Sequence, residues 1–135
     1  MHYLLDANII IRSLNGDPDT IQLLVTLARQ SDDSICVSTV TQMEVWEGVH
    51  RAADPAMMEQ EYERFFADLA ILPFDSDIAK CAAKLRYDLR QQSIRTRERA
   101  IDLQVAATAL FHGLALVTYN TQDFDDIPGL NLYRI

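Results

Sequence analysis

HYLLDANIII, residues 2–11, places one ionisable side chain, Asp6, in the middle of an apolar run that is typical of a buried strand. A buried carboxylate is unfavourable by several kcal/mol unless hydrogen bonds or a cation compensate its lost hydration. Two explanations follow for Asp6. Either it accepts hydrogen bonds from nearby backbone N–H groups and from Asn8, or it is a ligand of a metal ion.

Other short apolar runs follow and alternate with helical patterns. The predicted strands are residues 2–5, 34–37, 70–74 and 114–120, with residues 130–135 as a fifth, short edge strand. Because these runs are continuously apolar and not alternating, they indicate a parallel sheet that helices cover on both faces. The predicted fold class is α/β, with four to five strands in a single domain over residues 1–135. Ligands are expected at the carboxyl ends of the strands.

Helices are predicted between the strands. They cover residues 8–14, 17–30, 41–52 and 102–113, with two more that begin after Asp54-Pro55 and at Asp75 or Ser76. In the helix over 17–30, Asp17 and Pro18 suit the first positions. We expect this helix to bury one apolar face, formed by Ile21, Leu24, Val25 and Ala28.

The chain carries 12 basic and 20 acidic side chains, a net charge of −8, in 135 residues. This balance disfavours a general nucleic-acid-binding protein, but five arginines fall within residues 86–99 and could hold a phosphate locally. No apolar run approaches the ~20 residues that span a bilayer, and Asp6 interrupts the run in which a signal peptide would continue. We therefore expect a cytoplasmic protein without a membrane segment, with Cys36 and Cys81 as reduced thiols.

Several acidic or amide side chains lie near the predicted strand ends. Asp6 ends the first strand, and Glu44 lies in the first turn of the helix after the second. Asp102 opens the helix that leads into the fourth strand, which Asn120 and Asp123 follow. Two carboxylates about 4 Å apart repel by roughly 4 kcal/mol at an effective dielectric of about 20, so a cluster needs protons or a cation. Oxygen ligands without Cys or His suit Mg²⁺ or Mn²⁺, which can activate water against a phosphodiester.

Three of these acids also have a structural explanation. Glu44 pairs with Thr41 in the spacing of a capping box, Asp102 suits a helix N-cap, and Asp123 suits a solvated turn. Against the capping explanation, Gly48 lies one turn beyond Glu44, where a missing side chain would leave room for a ligand. Spacing alone does not decide between these explanations and a shared metal site.

Three segments of the chain resemble the PIN-domain family. They are LLDANIII (4–11), VSTVTQMEVWEG (37–48) and DLQVAATALFHGLALVTYNTQDFDDIPGL (102–130), and the likeness is greatest to VapC-type ribonuclease toxins of bacterial toxin–antitoxin pairs. The resemblance implies a three-layer α/β/α sandwich and a Mg²⁺- or Mn²⁺-dependent endoribonuclease that cleaves RNA. It also implies a homodimer and inhibition by a small cognate antitoxin protein.

The resemblance also implies roles for individual residues. Carried over by position, Asp6 and Asp102 bind the principal metal, and Glu44 completes its shell directly or through water. The fourth acidic position falls on Asn120, where Asp123 is the alternative. The supporting polar side chains are Asn8, Ser38 and Thr118, and the family tends to have Gly where Ser93 stands.

Two surfaces complete this prediction. Arg95, Arg97 and Arg99 either supply positive charge for RNA phosphates or form a solvated loop. The antitoxin is expected to place an apolar or amphipathic segment in a groove near Trp46 and the helix that carries Phe65 and Phe66.

Two other classes of protein compete with the nuclease. A catalytically inactive PIN-like module that binds RNA or protein is favoured by the amide at Asn120 and disfavoured by the intact acids. A phospho-accepting receiver domain shares the parallel sheet, the acidic pocket and Mg²⁺. It needs a Lys at the end of a late strand, where this chain has VTYN (117–120).

Overall fold

A five-stranded parallel sheet forms the centre of the computed structural model, which describes residues 2–30 and 34–135. The strands are β1 (Tyr3–Leu5), β2 (Ile35–Ser38), β3 (Ala70–Leu72), β4 (Ala115–Val117) and β5 (Asn131–Leu132). Their order across the sheet is β3-β2-β1-β4-β5, and every neighbouring pair is parallel. The expected α/β class is confirmed, and so is the short fifth strand at the edge.

Helices cover both faces of this sheet. In the described residues they are α1 (Ala7–Leu14), α2 (Pro18–Ala28), α3 (Thr39–Arg51), α4 (Pro55–Phe66), α5 (Ser76–Gln91) and α6 (Ala100–His112). Successive strand residues point to opposite faces, and accordingly Leu4 packs in the core beneath α5 and α6 whereas Leu5 packs in the core beneath α1, α3 and α4. The result is three layers, with β1 and its carboxyl end at the centre. In the described ranges, no helix is long and apolar enough to cross a membrane.

The buried face of α2 differs from the prediction. The structure buries Thr20 and Leu27, whereas Ile21 is 43% exposed and Val25 37% exposed. Ala28 is exposed as well, and only Leu24 of the predicted face is partly buried. The reason is a distant polar contact: the Thr20 hydroxyl lies 2.7 Å from the hydroxyl of Tyr119. The stripe that contains Ile21 and the stripe that contains Thr20 have the same helical spacing and are offset by one residue. The contact with Tyr119 favours burial of the stripe that contains Thr20.

Ser93 ends α5 in a left-handed backbone conformation, with φ of 59°. The Ser93 N–H donates to the Arg90 carbonyl (3.0 Å) and the Ile94 N–H to the Leu89 carbonyl (2.9 Å), which is the hydrogen-bond pattern of a Schellman motif. Ile94 also packs against the core cluster that contains Leu89. This motif favours Gly at the left-handed position, which explains why the family resemblance expects Gly there.

Ser93→Gly is expected to raise the free energy of unfolding by about 0.5–1 kcal/mol, which urea denaturation can measure. A Cβ in the left-handed region is unfavourable by roughly 1–2 kcal/mol, and the greater unfolded-state freedom of Gly offsets part of the gain. The matched control is Gln92→Gly, one residue earlier at φ −90°, which should destabilise. A destabilised Ser93→Gly protein would contradict the left-handed assignment.

Candidate active site

Asp6 lies directly after the central strand β1 and is the N-cap of α1. One carboxylate oxygen accepts the Ala7 N–H (2.9 Å), and the other accepts the Thr118 hydroxyl (2.8 Å) and the Asn8 amide (3.2 Å). The side chain is only 7% exposed, and burial raises its pKa despite these three bonds, with repulsion from Asp123 adding to the shift. Hydrogen bonds therefore compensate Asp6 only in part.

Asn8 and Thr118 join the carboxyl ends of β1 and β4 around Asp6. The Asn8 amide donates to the Thr118 hydroxyl (3.0 Å), and its carbonyl oxygen accepts the Tyr119 N–H (3.1 Å). The Thr118 hydroxyl also accepts the Asn120 N–H (3.1 Å). These contacts fix the orientation of the Asp6 carboxylate, as expected of supporting polar residues.

Ser38 has a different role from that of Asn8 and Thr118. It is buried at the end of β2 and is the N-cap of α3, where its side chain accepts the Thr41 N–H (3.0 Å). Since α3 begins at Thr39, Glu44 lies in the second turn, and the expected capping box between Thr41 and Glu44 is wrong. Because Ser38 caps this helix, helix capping does not explain why a glutamate occurs at position 44.

The structural explanation for Asp102 is also wrong. Arg99 occupies the N-cap position of α6, and Asp102 lies within the first turn. Its side chain is partly buried. Burial raises the pKa of Asp102 to about 6, repulsion from Asp6 and Asp123 acts in the same direction, and Arg99 opposes the shift.

Glu44 belongs to the same electrostatic neighbourhood. Burial raises its pKa to about 7, and repulsion from Asp6, Asp102 and Glu47 adds to the shift. The four acids that the structure brings into mutual repulsion are Asp6, Glu44, Asp102 and Asp123. They lie on segments that follow β1, β2 and β4 or that lead into β4.

Asp123 and Asn120, the two candidates for the fourth acidic position, differ in their surroundings. Asp123 ends a single 3₁₀ turn, Thr121–Asp123, and its charge raises the pKa values of both Asp6 and Asp102. Asn120 is exposed, and its neutral amide adds no charge to the cluster. Of the two candidates for the fourth acidic position, only Asp123 therefore adds charge next to Asp6 and Asp102.

The donor set fits a hard cation with an incomplete protein shell. Within residues 2–30 and 34–135, no three side chains of His, Cys, Asp or Glu lie close enough together to enclose a metal ion. Mg²⁺ is usually bound by one or two carboxylates and keeps several waters, so such a closed cage is not required. Repelling carboxylates with only oxygen donors suit Mg²⁺ or Mn²⁺ and not Zn²⁺.

Without metal, the protein is expected to lose stability as the pH rises from about 5 to about 8. Burial raises the folded-state pKa of Glu44 to about 7 and that of Asp102 to about 6, above their ordinary values of 4.5 and 3.8. The folded state therefore binds more protons in this window, and its advantage disappears as the pH passes the folded-state values. Melting temperatures in EDTA measure the effect.

The control for this pH dependence is a charge neutralisation on the same helix. Glu44→Gln should flatten the dependence, whereas Glu47→Gln, on an exposed side chain, should leave most of it. A melting temperature that rises between the two pH values in EDTA would contradict the raised pKa values.

The three candidate RNA-contacting arginines do not share one environment. Arg99 is held by Asp126 and by main-chain carbonyls, so its guanidinium is not free for phosphate. Arg97 is exposed, and exposed Arg95 lies 3.6 Å from Glu98. Both line a surface cavity of about 490 Å³ that also borders Asp102 and Asp123.

Two further residues near the site were missed by sequence reasoning. Glu98 lines a second cavity together with Glu44 and Asp102, and Asp126 is the partner of Arg99. No local pattern marks either residue, since Asp126 lies 27 positions from Arg99. The gap at Gly48, which we expected to open beside Glu44, faces α1 instead: a Cβ there would lie 4.0 Å from the Ile11 side chain.

Comparison with known proteins places this geometry in context. The PIN domain family model matches residues 3–130. The tRNA(fMet)-specific endonuclease VapC of Salmonella typhimurium is 26% identical over 132 residues, which cover 98% of this chain and 96% of the relative. Ribonuclease VapC2 of Rickettsia felis is 27% identical over 132 residues, with the same two coverages, 98% and 96%.

Solved structures agree with the sequence comparison. VapBC2 from Rickettsia felis, bound to a DNA fragment from its promoter, matches with a TM-score of 0.85 and 28% identity, covering 98% of both chains. DNA-bound VapBC from Salmonella typhimurium matches with a TM-score of 0.85 and 26% identity, covering 98% of this chain and 97% of the other. The likeness extends over nearly the whole chain.

Proposed function

We propose that this chain, which belongs to the PIN-domain family, is a metal-dependent endoribonuclease and the toxin of a toxin–antitoxin pair. The observation that carries the proposal is the gathering of acids at the carboxyl edge of the sheet: Glu44 and Asp102 line one cavity, Asp102 and Asp123 line another, and the buried Asp6 repels Glu44 and Asp102. Relatives named as VapC ribonucleases support the reaction class, and the VapBC complexes support an inhibitory partner protein. The same proposal includes a homodimer, which rests on the family likeness, and a single cytoplasmic domain, which rests on the length and composition of the chain.

Each acid has a proposed role in hydrolysis of the phosphodiester bond. Asp6 and Asp102 hold Mg²⁺ or Mn²⁺, with Glu44 beside them directly or through water. When bound, the metal lowers the pKa of water and stabilises negative charge on the phosphate. Asn8 and Thr118 keep the Asp6 carboxylate in place while Asp123 orients a water molecule.

Glu44 is the proposed proton acceptor. It borders a cavity together with Asp102, where it can take the proton of the attacking water. As the water oxygen bonds to phosphorus, the bond from phosphorus to one sugar oxygen breaks, and that oxygen takes a proton from solvent. The RNA strand is left as two products.

Incubation of the purified chain with total RNA and transfer RNA tests the proposed function. Parallel reactions contain EDTA, Mg²⁺ or Mn²⁺, and discrete products are expected only with a metal. A chain that binds Mn²⁺ and RNA but leaves all RNA intact would support the inactive PIN-like module that Asn120 favours. A chain that neither binds Mn²⁺ nor cleaves would overturn the metal-dependent nuclease.

The proposed antitoxin site is a groove between α3, α4 and β3. Its volume is about 530 Å³, and its lining is largely apolar, with Met43, Trp46, Tyr62, Phe66 and Ile71. Trp46 packs edge-on against Tyr62, with ring centroids 4.7 Å apart, so the groove floor is ordered by aromatic contacts. Apolar side chains of an amphipathic segment fit such a groove, and basic residues next to them would complement the net charge of −8.

Met43→Asp is expected to weaken antitoxin binding at least about tenfold, because an unpaired charge in an apolar interface is unfavourable by well over 1.4 kcal/mol. The measurement is titration with the cognate antitoxin, identified as a small protein that co-purifies with this chain. Met57→Asp is the matched control: both methionines are 55% exposed, but Met57 does not line the groove. Equal affinity of the two variants would exclude this groove as the binding site.

A further inference from the structure

The Arg99 guanidinium is committed to four hydrogen bonds inside the protein. Its Nη1 and Nη2 donate to the two carboxylate oxygens of Asp126, at 2.9 and 2.7 Å. Nη2 also donates to the Asp123 carbonyl and Nη1 to the Arg95 carbonyl, both at 2.9 Å. The side chain is only 17% exposed, whereas the arginine and lysine side chains of the other ion pairs in the described residues are at least 70% exposed.

These bonds join two segments that each carry an acid of the candidate site. Arg99 is the residue at the N-cap of α6, and Asp102 lies in the first turn of that helix. On the other side, Arg99 holds the main-chain carbonyl of Asp123 itself, at the end of the 3₁₀ turn after β4. A planar guanidinium bonds a carboxylate bidentately and fixes orientation as well as distance.

The connection made by Arg99 counteracts the repulsion between Asp102 and Asp123. Asp102 and Asp123 carry like charges and repel each other. The 3₁₀ turn that contains Asp123 is exposed at the surface. Without a tether, the turn could relieve the repulsion by moving away from α6. Arg99 opposes that movement by holding the segment at two points, the Asp123 carbonyl and the Asp126 carboxylate.

We propose that Arg99 is a positioning residue, which through Asp126 and the Asp123 carbonyl holds the Asp123 carboxylate at the metal site beside Asp102. This inference rests on the proposed metal-dependent nuclease and assigns Arg99 a role other than phosphate binding. Asp126 has the same positioning role, because it accepts the paired hydrogen bonds of Arg99. Arg99 itself touches neither RNA nor metal.

Three variants and one control test this role. Arg99→Met removes the tether, Asp126→Asn weakens it while the arginine charge remains, and Arg99→Lys keeps the charge but not the planar fork. The control is Arg64→Met, which removes an equally short ion pair (2.8 Å to Glu61) on the exposed side of α4. Mn²⁺ affinity by calorimetry, kcat and KM for RNA, and thermal melting are measured for each.

All three variants are expected to raise the Kd for Mn²⁺ and to lower kcat, with about a tenfold effect for Arg99→Met and Asp126→Asn, because outer-shell partners of metal ligands contribute that much. KM should change less than about twofold, since both terminal nitrogens of the guanidinium donate their hydrogen bonds within the protein. Arg64→Met should match the wild type. Arg99→Lys and Asp126→Asn retain the fold if Arg99→Met proves unstable, so the test does not depend on one variant.

Two results would overturn the positioning role while leaving the nuclease intact. Wild-type Mn²⁺ affinity in Asp126→Asn would show that Arg99 acts through charge alone. A raised KM in Arg99→Met, with a salt slope reduced by about one and unchanged Mn²⁺ affinity, would make Arg99 a phosphate contact. Failure of the wild-type chain itself to bind Mn²⁺ and to cleave would instead overturn the proposed function, and this inference with it.

Discussion

Asp6→Asn is expected to reduce RNA cleavage at least about a hundredfold while leaving the fold intact, because loss of a ligand exceeds the 10–100-fold effect of losing its outer-shell partner. Asn keeps a side-chain oxygen for the Ala7 N–H, so the cap of α1 survives. It removes the negative charge that a metal ion requires. Single-turnover cleavage with Mn²⁺ measures the loss.

Stability separates this effect from unfolding. Burial and repulsion raise the pKa of Asp6, so removal of its charge offsets the loss of the two hydrogen bonds that one carboxylate oxygen accepts from Thr118 and Asn8, and Asp6→Asn should remain folded. Asp54→Asn is the matched control: Asp54 also caps a helix through its side chain, at α4, and is exposed. Cleavage by Asp6→Asn within about threefold of the control would contradict the ligand role.

The second large effect is stabilisation by metal. A hundredfold excess of Mn²⁺ over its Kd should stabilise the wild-type fold by about 2.7 kcal/mol, equivalent to a rise in melting temperature of about 10 °C. The physical reason is that the ion replaces repulsion among the acids with attraction. EDTA should reverse the rise.

The location of the ion decides whether this stabilisation supports the proposed site. Asp102→Asn should lose most of the Mn²⁺-dependent rise, and Glu47→Gln should keep it. An equal rise in the wild type and in Asp102→Asn would mean that the metal binds elsewhere on an acidic protein of net charge −8. Thermal melting with and without Mn²⁺ distinguishes the two results.

The general architecture could be predicted because it depends on local patterns. Continuous apolar runs fixed four strands within a few residues of their observed bounds, and the position of Asp6 at the end of the first identified the functional edge. The family likeness at 102–130 implied a role for Asp102 in metal binding, which stays a prediction. Such features can be predicted because each depends on one short stretch of sequence.

The errors concern choices between equivalent local patterns. In α3, Ser38 with Thr41 and Thr41 with Glu44 both have helix-starting spacing, and the end of β2 at Ser38 decides between them. In α2, the contact of Thr20 with Tyr119 selects one of two neighbouring stripes. Such choices depend on residues far apart in sequence.

The same limit explains the connection between Arg99 and Asp126. The two residues are 27 positions apart, and Arg99 stands among other arginines from which no pattern separates it. Charge composition indicated a basic segment for phosphate, whereas the structure uses one of its arginines to join two loops. Only the three-dimensional arrangement distinguishes these roles.

The most direct test of the metal site is anomalous diffraction from a crystal of this protein soaked in Mn²⁺. The proposed site predicts a peak whose nearest side-chain oxygens belong to Asp6 and Asp102, with Glu44 or Asp123 adjacent. The same soak of Asp6→Asn should lack that peak. Mn²⁺ bound only at other acids, with none between Asp6 and Asp102, would contradict the account of these carboxylates as the metal centre of a nuclease.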